Sequence, residues 1–155
     1  MSDTAFPPPP GDHTQERAPQ VLGPDECWSL LRATSVGRVA FVIDGWPVVL
    51  PVNYLIDGKE ILIRTAPGAK LASARSTVQV SLQADSTESV YRSGWSVLVF
   101  GYASEITDAN ELRRVNALPL RSWAGGDKLY WIKIRPEQIT GRRLPRAWQY
   151  PDPIQ

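Results

Sequence analysis

The sequence predicts a mainly β domain, a small antiparallel β-barrel with a few short helices. Three observations carry that reading. Apolar and polar residues alternate over six separate stretches, which is the period of a strand with one buried face. Asp44-Gly45 and Asp57-Gly58 stand between such stretches, where two-residue hairpin turns favour this dipeptide. Helical stretches are few and short, which argues against helices layered on a parallel sheet.

Composition bounds the rest. A chain of 155 residues with 43% apolar and 21% charged residues is one ordinary globular domain plus tails. A net charge of +1 provides no broad positive field for polyanions. Cys27 is the one cysteine, so no internal disulfide is available. The one histidine, His13, excludes a His-rich metal site and any Ser-His-Asp or Cys-His set within the compact region. Residues 1–10 lack the basic and apolar blocks of a secretory leader, and no stretch reaches the roughly 18 apolar residues of a membrane span. The expectation is a soluble cytoplasmic protein. Six of the 14 prolines fall in the first 24 residues and three from Pro145 onward. They mark a Pro-rich tail at 1–21, a compact domain at 22–144 and a second tail at 145–155.

The elements follow in order. Pro24-Asp25-Glu26 opens a short helix, with acids at its positive end and Trp28, Leu30 and Leu31 facing inward. Val39, Phe41 and Ile43 share one face of the first long strand, with Arg38, Ala40 and Val42 on the other. Residues 48–56 return after the first hairpin turn, and residues 60–65 after the second. The Ala-rich stretch 66–75, opened by Pro67-Gly68, reads as a short helix after a turn. Residues 78–83 alternate as a fourth strand. Residues 94–106 make a long fifth, in which Gly101 predicts a bulge or sharp bend. Asp108 and Glu111 form a capping-box-like helix start, and that helix stops near Leu118-Pro119. Residues 129–134 give a sixth strand, interrupted at Pro136.

Four segments could carry chemistry. In the first, Arg64-Thr65 ends a strand, Pro67-Gly68 turns, and Lys70-Leu71 enters a helix. Free N–H groups, a planar guanidinium, a hydroxyl and a mobile ammonium could together neutralise a phosphate. Equally, Arg64 and Lys70 could only solvate the end of an exposed hairpin. The second is Pro51-Val52-Asn53, where a strand proline frees backbone groups that could meet a planar heteroaromatic ring, or merely makes a packing kink. The third is Trp95-Ser96 after Gly94, with Trp123 later, suited to covering a ring face or an apolar interface. The fourth is the basic run Arg142, Arg143 and Arg146. It could touch single-stranded nucleic acid, but the near-neutral chain makes a solvated face or subunit contact the better reading.

Taken together, these segments resemble the pyridoxamine 5'-phosphate oxidase-like family, the FMN-binding split barrels. The resemblance runs from about Leu30 to Arg143. It rests on Val36-Gly37-Arg38-Val39-Ala40, Pro51-Val52-Asn53-Tyr54, Arg64-Thr65 with Gly68-Ala69-Lys70, Ser93-Gly94-Trp95-Ser96-Val97 with Gly101, and Pro136 to Gly141. It implies a six-stranded antiparallel split β-barrel that forms a homodimer, with FMN at the subunit interface. By the same resemblance, Arg64, Thr65, Gly68, Lys70 and Leu71 lie at the FMN phosphate, and Pro51, Val52 and Asn53 along the ring and ribityl chain. Trp95, Ser96 and Arg142 lie at the ring. Gly141-Arg142-Arg143-Leu144-Pro145 carries no histidine where the true oxidases have an Arg-x-His motif. The chain is thus more similar to small relatives that bind FMN, or the deazaflavin coenzyme, and act as oxidoreductases on small molecules. A non-catalytic flavin sensor or store is the alternative.

Overall fold

Side-chain alternation decides which face of each strand turns inward, and two tight turns bring the first strands together. The computed structural model describes residues 18–68, 72, 74, 77–88, 93–120 and 129–144. In chain order the elements are β1 (Gln20–Leu22), α1 (Pro24–Ala33), β2 (Val36–Ile43), β3 (Trp46–Asp57), β4 (Glu60–Thr65), β5 (Val78–Glu88), β6 (Ser93–Glu105), α2 (Ala109–Asn116) and β7 (Tyr130–Leu144). The strands lie in the order β1-β7-β4-β3-β2-β5-β6, and an added β6–β7 ladder closes the sheet on itself. The mainly β, antiparallel barrel architecture is therefore as the sequence predicts.

The β2–β3 hairpin pairs Ile43 with Trp46. Asp44 and Gly45 both take positive φ, 50° and 81°, as a type I′ turn requires. The described strands number seven, one more than the sequence reading counts. The added strand is β1, which pairs Gln20, Val21 and Leu22 with Arg143, Arg142 and Gly141. Three residues are too few to carry a periodic signal.

Pro136 does not end the last strand, which continues to Leu144. Opposite it, Gly101 pairs with Pro136 and Phe100 with Gln138, so Glu137 is the extra residue of a β-bulge. The proline, which has no N–H to donate, occupies the break in the ladder. Gly101 is required there, because a Cβ at this position would sit 2.2 Å from the Arg135 carbonyl oxygen.

The interior is filled from both directions. Ile61, Ile63, Leu82, Ala84, Val97, Val99 and Ile134 are buried from the sheet, and α1 closes one mouth with Cys27, Trp28 and Leu31. A second cluster lies outside β4 and β7, where Leu62 and Trp131 pack under Val115 of α2 with Ile106 and Leu120. The cap of α2 forms as its sequence suggests, since Asp108 Oδ1 accepts from the Glu111 N–H at 2.8 Å. Lys133 Nζ reaches Glu111 at 2.6 Å, and Arg114 pairs with Asp57, which pins α2 to the sheet. No helix of the described residues is long and apolar enough to cross a membrane.

Candidate functional site

Val52 and Tyr54 point into the core at 5% and 2% exposure, so the alternation of β3 turns Pro51 and Asn53 to the outer face. Register then extends that outer row across the sheet. Pro51 stands opposite Arg38, and Arg38 opposite Gln83. Arg38 Nη1 donates to Asp85 Oδ1 at 2.8 Å and to Gln83 Oε1 at 3.2 Å. Asp85 is opposite Ser96, and Ser96 opposite Arg142. Five neighbouring strands thus carry one polar belt from Asn53 to Arg142. At its far end Trp95, Ser96 and Arg142 line a cleft of about 290 Å³ whose walls include Pro19, Gln83 and Asp85.

The near end of the belt is on β4. The last pair of the β3–β4 ladder is Tyr54 with Ile63, so Asn53 and Arg64 flank its end on the outer face. The Arg64 guanidinium lies over the Trp131 ring, 5.2 Å from the ring centre. Its Nε is shut off from water and, among the described residues, has no hydrogen-bond partner. A buried donor in that condition costs roughly 1–3 kcal/mol until an acceptor reaches it. Thr65 is sent the other way by the strand period. It is 4% exposed and its Oγ1 donates to the Ala66 carbonyl at 3.0 Å. The Arg64 and Thr65 side chains therefore do not converge from one face.

Beyond β4, the Ala72 N–H donates to the Gly68 carbonyl at 2.9 Å, and Ala72 and Ala74 have helical backbone. This agrees with the helix read after Pro67-Gly68. Lys70 and Leu71 lie outside the described residues, as do Arg75, Trp123 and Arg146. Of the basic run, Arg143 is engaged by Glu26 at 2.7 Å, which takes one charge from the surface proposed for nucleic acid.

Tyr54 anchors the strand beneath Asn53. Its hydroxyl donates to the Leu31 carbonyl at 2.9 Å and shares a 2.7 Å hydrogen bond with Thr34 Oγ1. Burial pushes the phenol pKa above its ordinary 10.0, against a smaller opposing effect of the Thr34 bond. The folded state thus holds its proton where the unfolded chain releases it. This contribution to stability is full below the ordinary value and is lost as pH rises through the raised one. Urea unfolding from about pH 8 to about pH 11 should show a falling limb that Tyr54→Phe makes shallower. An unchanged limb in that variant would assign the effect to another group.

Pro51, Asn53, Arg64, Ser96 and Arg142, which lie along the belt and at its β4 end, fall within the stretch where the sequence resembles a known family. Residues 23–143 fit the family model described as pyridoxamine 5'-phosphate oxidase. The chain belongs to the pyridoxamine 5'-phosphate oxidase family. Within it, the uncharacterized protein Rv0080 of Mycobacterium tuberculosis is 34% identical over 128 residues, covering 79% of this chain and 84% of the relative. Among solved structures, the FAD binding protein from Mycobacterium smegmatis is 33% identical with a TM-score of 0.68, covering 80% of this chain and 97% of that one. A FAD-binding protein from Mesorhizobium loti is 30% identical with a TM-score of 0.71, covering 82% and 99%.

For this family member, sequence reasoning named Pro51, Asn53, Arg64, Trp95, Ser96 and Arg142 but assigned no role to Arg38, Gln83 or Asp85, which join the two ends of the belt. One signal was available for Arg38, which alternates away from Val39 and Phe41. Its partners 45 and 47 residues away are set by β2–β5 pairing, which local pattern does not encode. Trp131 as the neighbour of Arg64, and Asn116 as the partner of Trp131, were likewise invisible.

Proposed function

We propose that this protein binds a flavin nucleotide along the outer belt, between two copies of the chain, and works as an oxidoreductase on a small organic molecule. The observation that carries the reading is the desolvated, unpartnered Nε of Arg64 at the end of β4. An arginine in that state suits a phosphate oxygen, which accepts strongly from a guanidinium edge. The flavin-binding names of the two similar solved structures support the same ligand class. FMN is the ligand proposed first, and FAD and the deazaflavin coenzyme are its rivals.

Each residue has a bounded part. Arg64 and Lys70 hold the phosphate, with Gly68 and Leu71 assigned beside it by the family resemblance. Thr65 and Val52 contribute through the backbone, since their side chains are turned into the protein. Pro51 and Asn53 run along the ligand. Trp95 and Ser96 wall the ring end, and Arg142 places a cation there that favours negative charge on a reduced ring. A bound flavin supplies the electron-pair transfer, so no catalytic histidine or cysteine is required.

The second copy follows from the same face. On that outer face Val42, Val49 and Phe100 are 64%, 58% and 40% exposed. Such a patch beside a ligand belt suits an interface between subunits. Light scattering should give twice the chain mass, and a monomer that still binds flavin would remove the interface from the proposal.

The deciding experiment is titration of the apoprotein with FMN, FAD and the deazaflavin coenzyme, followed by fluorescence quenching. Binding at micromolar or tighter, about −8 kcal/mol, is expected for at least one. Lys70→Ala should weaken FMN binding by about 1.5–3 kcal/mol, the worth of one charged hydrogen bond. Absence of binding to all three would end the flavin reading. Tight binding without acceleration by any electron acceptor would favour a carrier or sensor over an enzyme.

A further inference from the structure

We propose that Trp131 and Asn116 are positioning residues that hold Arg64 in the orientation needed to meet the ligand phosphate. The inference rests on the reading that Arg64 faces that phosphate. An arginine has four flexible side-chain torsions, and freezing them costs conformational entropy. Something must hold the guanidinium if it is to donate in a fixed direction. Among the described residues no carboxylate pairs with it. What does lie against it is the Trp131 ring, at 5.2 Å. A ring face attracts the cation without using its N–H groups, so the donors stay available.

The ring is itself fixed. Trp131 is fully buried, and its indole N–H donates to Asn116 Oδ1 at 2.8 Å. Asn116 is the last residue of α2. That helix is held by the Asp108 cap and by the Lys133–Glu111 pair. Orientation thus passes from α2 through one hydrogen bond to the indole, and from the indole face to the guanidinium. Neither Asn116 nor Trp131 needs to touch the ligand.

The test compares FMN with riboflavin, which has the same ring and no phosphate, by titration or equilibrium dialysis on the full chain. Arg64→Ala should weaken FMN binding about tenfold or more and leave riboflavin unchanged. Asn116→Ala should weaken FMN binding about three- to tenfold, again sparing riboflavin. Asn116→Asp keeps an oxygen acceptor for the indole and should restore FMN affinity. Asn116→Ala leaves the buried indole N–H without its acceptor, so that variant should melt a few degrees below the parent, and its riboflavin affinity is the check that the site itself is kept. Parent-like FMN binding by Asn116→Ala alongside a loss in Arg64→Ala overturns the positioning role and leaves the phosphate reading standing. Equal losses for FMN and riboflavin in Asn116→Ala also overturn it, as a general structural effect. Parent-like FMN binding by Arg64→Ala overturns the phosphate reading, and the positioning role with it.

Discussion

The Trp131→Ala protein should be about 3–5 kcal/mol less stable than the parent, the usual cost of truncating a buried tryptophan. Trp131 is 0% exposed and is the largest side chain of the cluster that joins α2 to the sheet. Its removal leaves a cavity between Leu62, Val115 and Leu120, and it strands the Asn116 carboxamide without its indole donor. For a domain of this size, thermal melting should fall by roughly 6–20 °C. Val21→Ala, at a position 75% exposed, is the control and should stay within about 0.5 kcal/mol. Parent-like melting of Trp131→Ala would mean that α2 is not packed on β4 and β7 as described.

Gly101→Ala should cost about 3 kcal/mol or more, beyond ordinary overpacking. Overpacked cores relax by moving side chains, but every atom nearest this Cβ is backbone: the Arg135 oxygen at 2.2 Å, its carbon at 2.9 Å and Pro136 Cα at 3.0 Å. The β6–β7 ladder must part at the bulge to admit the methyl group, and that ladder is what closes the sheet. Gly23→Ser is the matched control, since a Cβ there meets nothing within 4 Å. Chemical denaturation of the two variants would decide it, and a Gly101→Ala midpoint equal to that of Gly23→Ser would remove the close approach.

How far the sequence alone leads depends on the range of the interaction. The Asp44-Gly45 turn, the Pro24 helix start and the Asp108 cap were legible because each is settled within four residues. Gly101 was legible as a bend, since an isolated glycine in a strand has few other uses. Its partner at the bulge was not. Pro136 read as a strand end because the compensating glycine lies 35 positions earlier and meets it only after the sheet closes. Strand β5 runs five residues past its expected end, as backbone pairing with β6 carries it through a polar stretch that has no alternation of its own.

The site divides in the same way. The proline at Pro51 departs from what a plain strand would use, whereas Arg64 could equally have solvated a hairpin end and Ser96 was assigned to a ligand only through the family resemblance. Alternation also contains the reason Arg64 and Thr65 part company, yet adjacent residues in a motif invite being read as one cluster. The Arg38–Asp85 bridge and the Trp131–Asn116 support depend on which strands become neighbours, and one sequence does not state that.

Strand β7 pairs with β4, β6 and β1, and it is the last element of the described chain. During synthesis the earlier strands leave the ribosome first, so β4 and β6 present bare edges until Tyr130–Leu144 emerges. The N-terminal strand waits longest, for its partners are Gly141, Arg142 and Arg143. Folding should therefore be a late, non-local event on the millisecond-to-second scale, roughly that of other β-barrels. A nascent chain stalled before Tyr130 would be a ready client for a chaperone.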